Sequence, residues 1–315
     1  MTVIIAHANG SKVFDNIPIL EDGVMVSALC QGGMCLFLIL SGYGLYKSYY
    51  IKGLNYYWDN KFKKIFMPAM MAQCSWSVLY IVVRCIWKRD FSLSILTNYV
   101  DLICCNSANG IDPSMWYLSY LLCCYITFYI VFVLIKNERC KLVSFLVLWI
   151  VIMPLMPMIW SHGFYCISSF AVGVIISYLM VTYPIHIPKI IKTTLVIGGF
   201  GGGLMYWHFF FRKNSIIDNV ASNLIAVAFI IMAGFMLSKF KLRVLHFVGK
   251  HSFAIYLFQG KIMFGRFPYT NYSNNIRFIM FIALFMINLL VAVAFDTILE
   301  KLYLRMDGSA TKRVV

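Results

Sequence analysis

Charged residues are scarce in this sequence. Only 12% of its 315 residues are charged and 61% are hydrophobic, whereas a soluble domain carries about 25% charged residues. So little polar surface cannot cover a protein in water, which excludes an ordinary soluble enzyme, and the apolar content excludes a disordered chain. The apolar residues form continuous runs and do not alternate with polar ones, which excludes a transmembrane β-barrel. The composition therefore predicts a polytopic helical membrane protein.

Acidic residues are scarcer still, with 12 Asp and Glu against 27 Lys and Arg. In a soluble chain this excess would suggest nucleic-acid binding, but most of the basic residues lie between the apolar runs, as in cytoplasmic loops of membrane proteins. We therefore expect no nucleic-acid partner. The ten Cys include no C-x-x-C pattern, no His has zinc-ligand spacing and no Gly-rich phosphate loop occurs. We expect neither a metal nor a nucleotide triphosphate.

Nine apolar segments approach the length needed to span a bilayer, whose core of about 30 Å requires roughly 20 helical residues. Residues 1–6 are also apolar and resemble the outer end of a first helix that is short or truncated, which makes ten helices in total. We predict an all-α fold, a polytopic transmembrane helix bundle, in a single membrane domain over residues 1–315. The nine segments are residues 24–45, 65–87, 115–135, 141–160, 164–181, 190–211, 220–239, 251–268 and 277–299.

The basic residues predict an orientation. By the positive-inside rule the loops that carry them face the cytoplasm, so the C-terminus lies inside and residues 8–23 lie outside. We expect a multi-pass membrane protein, with the lipid bilayer as its partner. The basic loops are residues 46–64, 136–141, 182–192, 239–250 and 300–315.

Two polar positions at the start of the chain allow two interpretations each. His7 follows an apolar stretch and either faces water or acts as a base, because an imidazole with an ordinary pKa of about 6.5 can accept a proton from an alcohol. Ser41-Gly42 interrupts an apolar helix and is either a small-residue packing notch or a polar contact inside a channel.

Two further clusters allow either a structural or a functional interpretation. Lys61, Lys63 and Lys64 could extend to lipid headgroups or could hold a phosphorylated cofactor. Trp116 and Tyr117 begin an apolar segment, where aromatic residues are typical interface anchors or could line an acceptor site.

The segment after residue 245 carries the remaining candidates. Lys261 lies within an apolar run and needs a water-filled cavity, a partner or a route to the surface, since an ionisable group in a bilayer is costly. Gln259 lies two residues before it, and we predict that both residues bind substrate. His246 and His251 fall on the basic side and are expected to be solvated.

These motifs together resemble the acyltransferase type 3 family of integral membrane proteins, which includes O-acetyltransferases of bacterial surface polysaccharides. The similarity extends over nearly the whole chain, in order. A His follows the first helix of that family, as His7 does here. The other matching segments are Gly33-x-x-x-Phe37-x-x-x-Ser41-Gly42-Tyr43-Gly44, Lys61-x-x-Lys64-Ile65-x-x-Pro68, Asp112-Pro113-x-x-Trp116-Tyr117-Leu118, Phe170-x-x-Gly173 and Val248-Gly249-Lys250-x-Ser252-x-x-Ile255-Tyr256-Leu257.

The resemblance implies transfer of an acetyl or other acyl group from cytoplasmic acetyl-CoA to a hydroxyl of a cell-surface or exported glycan, or of a lipid-linked saccharide. It implies that His7 is the catalytic base or otherwise handles the proton of the attacking hydroxyl. Lys61 and Lys64 would lie near the phosphates of the cofactor, with Ser41 in the channel for its pantetheine arm. Trp116 and Tyr117 would help to form the acceptor site.

The sequence departs from the family pattern at three points, and these keep other interpretations open. The usual Arg, about eleven residues before the His, has no counterpart. The late Tyr-Leu-x-His pattern reads Tyr256-Leu257-Phe258-Gln259, and Lys stands where Arg is common in the basic motif. An inactive, truncated family member is one alternative. A transporter, flippase or polymerase-like protein of polysaccharide assembly is another.

Overall fold

The computed structural model describes twelve helical segments and the turns beside them, with no strand among the described residues. An all-α fold was predicted and is confirmed. The residues that the structure describes are 23–83, 86, 116–152, 166, 168–183, 188–210, 215–239, 243–263 and 271–311.

The helices divide between two compact units. The first unit comprises Met1–Asn55 and Trp116–Lys241, and the second comprises Tyr56–Met115 and Leu242–Val315. The helices of the first unit are α1 (Gly23–Lys52), α4 (Trp116–Leu134), α5 (Glu138–Ile152), α6 (Ser169–Thr182), α7 (Lys189–Phe210) and α8 (Ser215–Lys239). The second unit holds α2 (Tyr57–Lys61), a π-helical turn (Phe62–Phe66), α3 (Met67–Val83), α9 (Arg243–Lys250), α10 (Ser252–Ile262) and α11 (Asn274–Thr311).

Two glycines bring α1 and α6 into backbone contact in the first unit. A Cβ atom at Gly42 would overlap the Phe170 carbonyl oxygen, and a Cβ at Gly173 would overlap the Ile39 carbonyl oxygen. Both glycines are buried. Small residues of this kind let apolar helices approach closely where packing, and not exclusion of water, drives association. Gly42 is therefore a packing position, as one of the two interpretations of Ser41-Gly42 predicts.

Aromatic rings fill the space between α4 and α5. Phe128 and Phe132 stack with their ring centroids 3.9 Å apart, and Phe145 stacks on Trp149 at 5.6 Å. Phe170 of α6 lies 5.9 Å from the Trp149 ring. Aromatic pairs add about 0.5–1.5 kcal/mol beyond their buried area, so this layer fixes α4, α5 and α6 to one another.

A network of charged and polar side chains lies at the end of α1 in the same unit. The Tyr49 hydroxyl donates to Glu138 Oε1 at 2.7 Å, and the Lys141 ammonium donates to Glu138 at 2.6 Å and to the Tyr49 hydroxyl at 2.5 Å. Burial opposes ionisation of Glu138, but the hydrogen bonds from Lys141 and Tyr49 and the Lys141 charge outweigh it and lower its pKa. The end of α1 is thus tied to the start of α5.

In the second unit, one face of α11 carries the polar contacts. Asn288 Nδ2 donates to the Ile255 carbonyl oxygen at 3.2 Å, and Asp296 lies 2.6 Å from the His251 ring. The Tyr303 hydroxyl donates to the Lys63 carbonyl oxygen. These three α11 positions are seven or eight residues apart, so they lie on one helical face. That face holds α10 and the π-helical turn.

The predicted apolar segments coincide with helices of the structure. Each of the nine predicted segments overlaps a helix, and α1 and α11 continue past the predicted ends to Lys52 and Thr311. Within the described residues one helix, Asn275–Arg305, is long and apolar enough to cross a bilayer, and only 11% of its most apolar window is buried. The ten-helix count and the single domain over residues 1–315 stay predictions.

Substitution of Gly42 by Ala tests the α1–α6 contact. We expect Gly42→Ala to lower the free energy of unfolding by about 1–3 kcal/mol, because its Cβ meets backbone that cannot rotate away. Thermal unfolding in detergent measures the effect. Gly44→Ala is the matched control two residues on, where a Cβ meets nothing within 4 Å, and we expect it to be neutral or stabilising. Equal melting temperatures for the two variants would contradict the assignment.

Candidate functional site

A basic turn forms the first part of the candidate site. We use this name for Lys61, the last residue of α2, together with Lys63 and Lys64 of the π-helical turn. Lys61 is half-buried, with its ammonium 6.0 Å from the centre of the buried Tyr57 ring. Lys63 and Lys64 are exposed. π-Helical turns occur frequently at functional sites.

The charge on Lys61 is perturbed by its surroundings. Burial and the neighbouring charge of Lys64 lower the pKa of Lys61 from 10.5 to about 8. A partly desolvated ammonium gains more from a bound anion than a fully hydrated one, since water competes less for the charge. The basic turn can therefore bind phosphate groups, and the residues present fit the phosphorylated cofactor that the motif implies.

The end of α11 holds the basic turn in place. The Tyr303 hydroxyl bonds to the Lys63 carbonyl oxygen. Asn60 Nδ2 donates to the Tyr56 carbonyl oxygen at 2.8 Å, across the start of α2. Tyr56 has a left-handed backbone with φ of 54°, which is uncommon outside glycine. These contacts fix the direction in which the turn presents its lysines.

A buried histidine pairs with an aspartate on the same face of α11. His251 is 6% exposed, and its Nδ1 lies 2.6 Å from Asp296 Oδ2. On the next turn of α11, Glu300 pairs with Lys250 at 3.2 Å. The prediction that His251 is solvated is wrong, since the residue is buried. The Asp296 carboxylate supplies the polar partner that a buried ring nitrogen requires. His246 is exposed, as predicted.

A buried lysine and a buried glutamine link α10 to α3. Lys261 is 6% exposed and its ammonium donates to Gln73 Oε1, while Gln73 is 5% exposed. Of the three possibilities considered for Lys261, the structure shows a partner. Gln73 was missed by the sequence analysis, although a polar residue inside the apolar segment 65–87 was a usable signal.

Gln259 is 1% exposed and lies on α10 between Ile255 and Met263. Both of these neighbours contact the side chain of Asn288 on α11. The prediction placed Gln259 and Lys261 in one substrate site. The structure puts them two residues apart on one helix, with Gln259 buried and Lys261 bonded to Gln73 of α3.

A second group of candidates lies in the first unit. The half-buried Ser41 hydroxyl of α1 is hydrogen-bonded with the hydroxyls of Tyr117 and Tyr125 of α4. Tyr125 is 3% exposed and its ring packs on Phe170 at 6.0 Å. The structure therefore brings together Ser41 and Tyr117, which were predicted for different roles, and adds Tyr125.

Two of the predicted residues, Trp116 and His7, lie partly or wholly outside the described residues. Trp116 begins α4, but its side chain lies outside the described part of the structure, and so does the whole of His7. Lys61, Lys64, Gln259 and Lys261 belong to the second unit, and Ser41 and Tyr117 belong to the first. Their roles stay predictions.

Comparison with known families identifies the class of protein. A sequence model of the acyltransferase 3 family, described as an acyltransferase domain, matches residues 1–297. The chain belongs to this family of acyltransferases, and the resemblance seen in the motifs is confirmed. Comparison with curated proteins gives no match, and comparison with solved structures gives none.

The Gln73–Lys261 contact gives a prediction about stability. We expect Gln73→Leu to lower the free energy of unfolding by about 1–3 kcal/mol, because the buried ammonium loses an acceptor. Thermal unfolding in detergent measures it, with Ser75→Ala on the same helix as an exposed control. A Gln73→Leu protein as stable as the wild type would show that this hydrogen bond contributes nothing.

Proposed function

We propose that this protein moves an acetyl or other acyl group from acyl-CoA, with acetyl-CoA as the donor, to a hydroxyl of a cell-surface or exported glycan. The family supports acyl transfer in general. The observation that carries the choice of donor is the basic turn, where a half-buried Lys61 with a lowered pKa lies beside Lys64. Such a site suits the phosphates of coenzyme A.

The chemistry requires a base and a carbonyl group. A thioester donor supplies an activated acyl carbon, which the acceptor oxygen attacks. His7 takes the proton of the acceptor hydroxyl as the new C–O bond forms and the C–S bond breaks, and then passes the proton to the departing thiolate or to water. Its assignment rests on the family motif.

Other residues of the chain have supporting roles in this proposal. Ser41, held by the Tyr117 and Tyr125 hydroxyls, provides a polar contact for the pantetheine arm between otherwise apolar helices. Trp116 and Tyr117 help to bind the acceptor. Gln259 and Lys261 bind oxygen atoms of the substrates.

The proposal includes a location. We place the protein in the bacterial inner membrane, as a multi-pass protein with a cytoplasmic C-terminus. The long apolar helix Asn275–Arg305 supports membrane insertion, and the basic residues of alternate loops support the orientation. The basic turn then faces the cytoplasm, where acyl-CoA is present.

A transporter or flippase for a lipid-linked sugar is the second candidate. The buried Lys261–Gln73 pair favours it, because buried ionisable groups also mark transport pathways. Direct binding of acetyl-CoA to the purified protein separates the two candidates, since a flippase does not use this donor.

His7 tests the proposed reaction. We expect His7→Ala to reduce O-acetylation of the surface polysaccharide by about 10²-fold or more, because a positioned base contributes that much. Mass spectrometry of glycan from cells that express each variant measures the change. His246→Ala, at an exposed His of α9, is the matched control. Undiminished acetylation with His7→Ala would remove His7 from the mechanism.

The pH dependence of acetyl-CoA binding tests the role of Lys61 in the donor site. Because its pKa is about 8, we expect acetyl-CoA affinity to fall by about tenfold as pH rises past 8 and Lys61 loses its charge. Lys61→Arg stays protonated, so the fall should disappear. Calorimetric titration between pH 7 and 9 measures it, with the exposed Lys136→Gln as the control. If the affinity of Lys61→Arg for acetyl-CoA still fell above pH 8, the decrease would belong to another titrating group.

A further inference from the structure

Two buried side-chain amides, Gln259 of α10 and Asn288 of α11, lie where these two helices pack together. Asn288 is fully buried, and its Nδ2 donates to the Ile255 carbonyl oxygen at 3.2 Å and lies 3.9 Å from Met263 Sδ. Ile255 of α10 and Met263, which follows α10 with helical backbone angles, are eight residues apart and share a face, and Gln259 lies midway between them on that face. Asn288 therefore lies opposite Gln259.

The two amides have complementary groups that do not meet. Asn288 Oδ1, an acceptor, and Gln259 Nε2, a donor, are both buried, and within the described residues neither has a hydrogen-bond partner. The orientation of the Asn288 amide is fixed, because only its nitrogen can donate to the Ile255 carbonyl oxygen. Buried polar groups are normally paired, so this arrangement points to a ligand group between them.

The chemistry of that group is restricted. It must accept a hydrogen bond from Gln259 and donate one to Asn288. A deprotonated carboxylate has no hydrogen to donate, and a hydrocarbon satisfies neither side chain. A secondary amide satisfies both, with its carbonyl oxygen toward Gln259 and its N–H toward Asn288. A hydroxyl or a water molecule can do so as well.

The position of the pair favours an amide. Asn288 and Tyr303 lie on the same face of α11, separated by fifteen residues, which is about 22 Å of helix. Tyr303 bonds the basic turn at Lys63. A chain held by its phosphates at the basic turn and extended along α11 would therefore reach toward Asn288, and the pantetheine arm of coenzyme A contains two secondary amides.

We infer that Gln259 and Asn288 form a subsite for an amide of the pantetheine arm of the acyl donor. The inference rests on the proposed use of acyl-CoA and adds the residues that recognise the arm. Gln259 donates to the amide carbonyl oxygen, and Asn288 Oδ1 accepts its N–H. No bond is broken at this subsite, whose function is to position the arm.

The test compares three probes on purified full-length protein: acetyl-CoA, S-acetylpantetheine, which lacks the nucleotide, and adenosine 3′,5′-bisphosphate, which lacks the arm. In Gln259→Met the donor group is lost with little change in volume. We expect its Kd for acetyl-CoA and S-acetylpantetheine to rise about tenfold, with no change for the bisphosphate. Its melting temperature without ligand should equal or exceed that of the wild type, because an unpaired buried polar group is removed.

Two further variants sharpen the comparison. Gln259→His keeps an N–H donor and should bind S-acetylpantetheine within about threefold of the wild type. Ser222→Ala removes another buried polar group that has no partner among the described residues, but in the first unit, and should leave all three affinities unchanged.

Several outcomes would overturn the inference. Unchanged S-acetylpantetheine affinity in Gln259→Met would do so, and an accompanying rise of KM for the glycan acceptor would reassign the pair to an acceptor hydroxyl. A lower melting temperature with equal losses for all three probes would show a structural Gln259–Asn288 contact. Failure of the wild type to bind acetyl-CoA would remove the proposed donor together with the subsite, whereas wild-type binding with no effect of Gln259→Met would remove the subsite alone.

Discussion

The backbone contact between α1 and α6 is the constraint on which the first unit depends. Gly42 and Gly173 each remove a Cβ where the other helix presents a carbonyl oxygen. Because the two backbones touch, Ser41 is carried to the side where α4 supplies Tyr117 and Tyr125, and Phe170 reaches the aromatic layer. A larger residue at either glycine would move the helix that presents Ser41. Gly42, which packs the two helices, and Ser41, the candidate polar contact, are therefore adjacent residues with different roles.

The second unit depends on polar contacts along one face of α11. Asn288, Asp296 and Tyr303 each bind a different partner, and those partners belong to α10, to the residue before α10 and to the π-helical turn. In apolar surroundings such contacts specify geometry, because an unpaired buried group is costly. The basic turn is bonded to the same helix that carries the Asn288 amide, which gives the proposed donor site a fixed direction.

Hydropathy predicted the positions of most helices. All nine predicted segments contain helix, since continuous apolar runs satisfy their backbone groups internally only as helices when strand partners are absent. The family motifs were also readable in order. The boundaries were less accurate, since α11 continues to Thr311 through residues whose hydropathy is low. The π-helical turn at Phe62–Phe66 was not predicted, because its hydrogen bonding differs from that of an α-helix by a single residue and leaves no pattern in composition.

The sequence by itself determined the helical class, the family and the identity of the candidate groups, because these follow from composition and from short motifs along the chain. Only the tertiary structure decided how those groups are paired. It gave His251 a carboxylate partner, joined Lys261 to Gln73, and bonded Asn288 to the Ile255 carbonyl oxygen. These partners lie between 33 and 188 residues apart in the chain. Helical periodicity states which face of a helix a residue occupies, but the choice of neighbouring helix depends on packing across the whole unit.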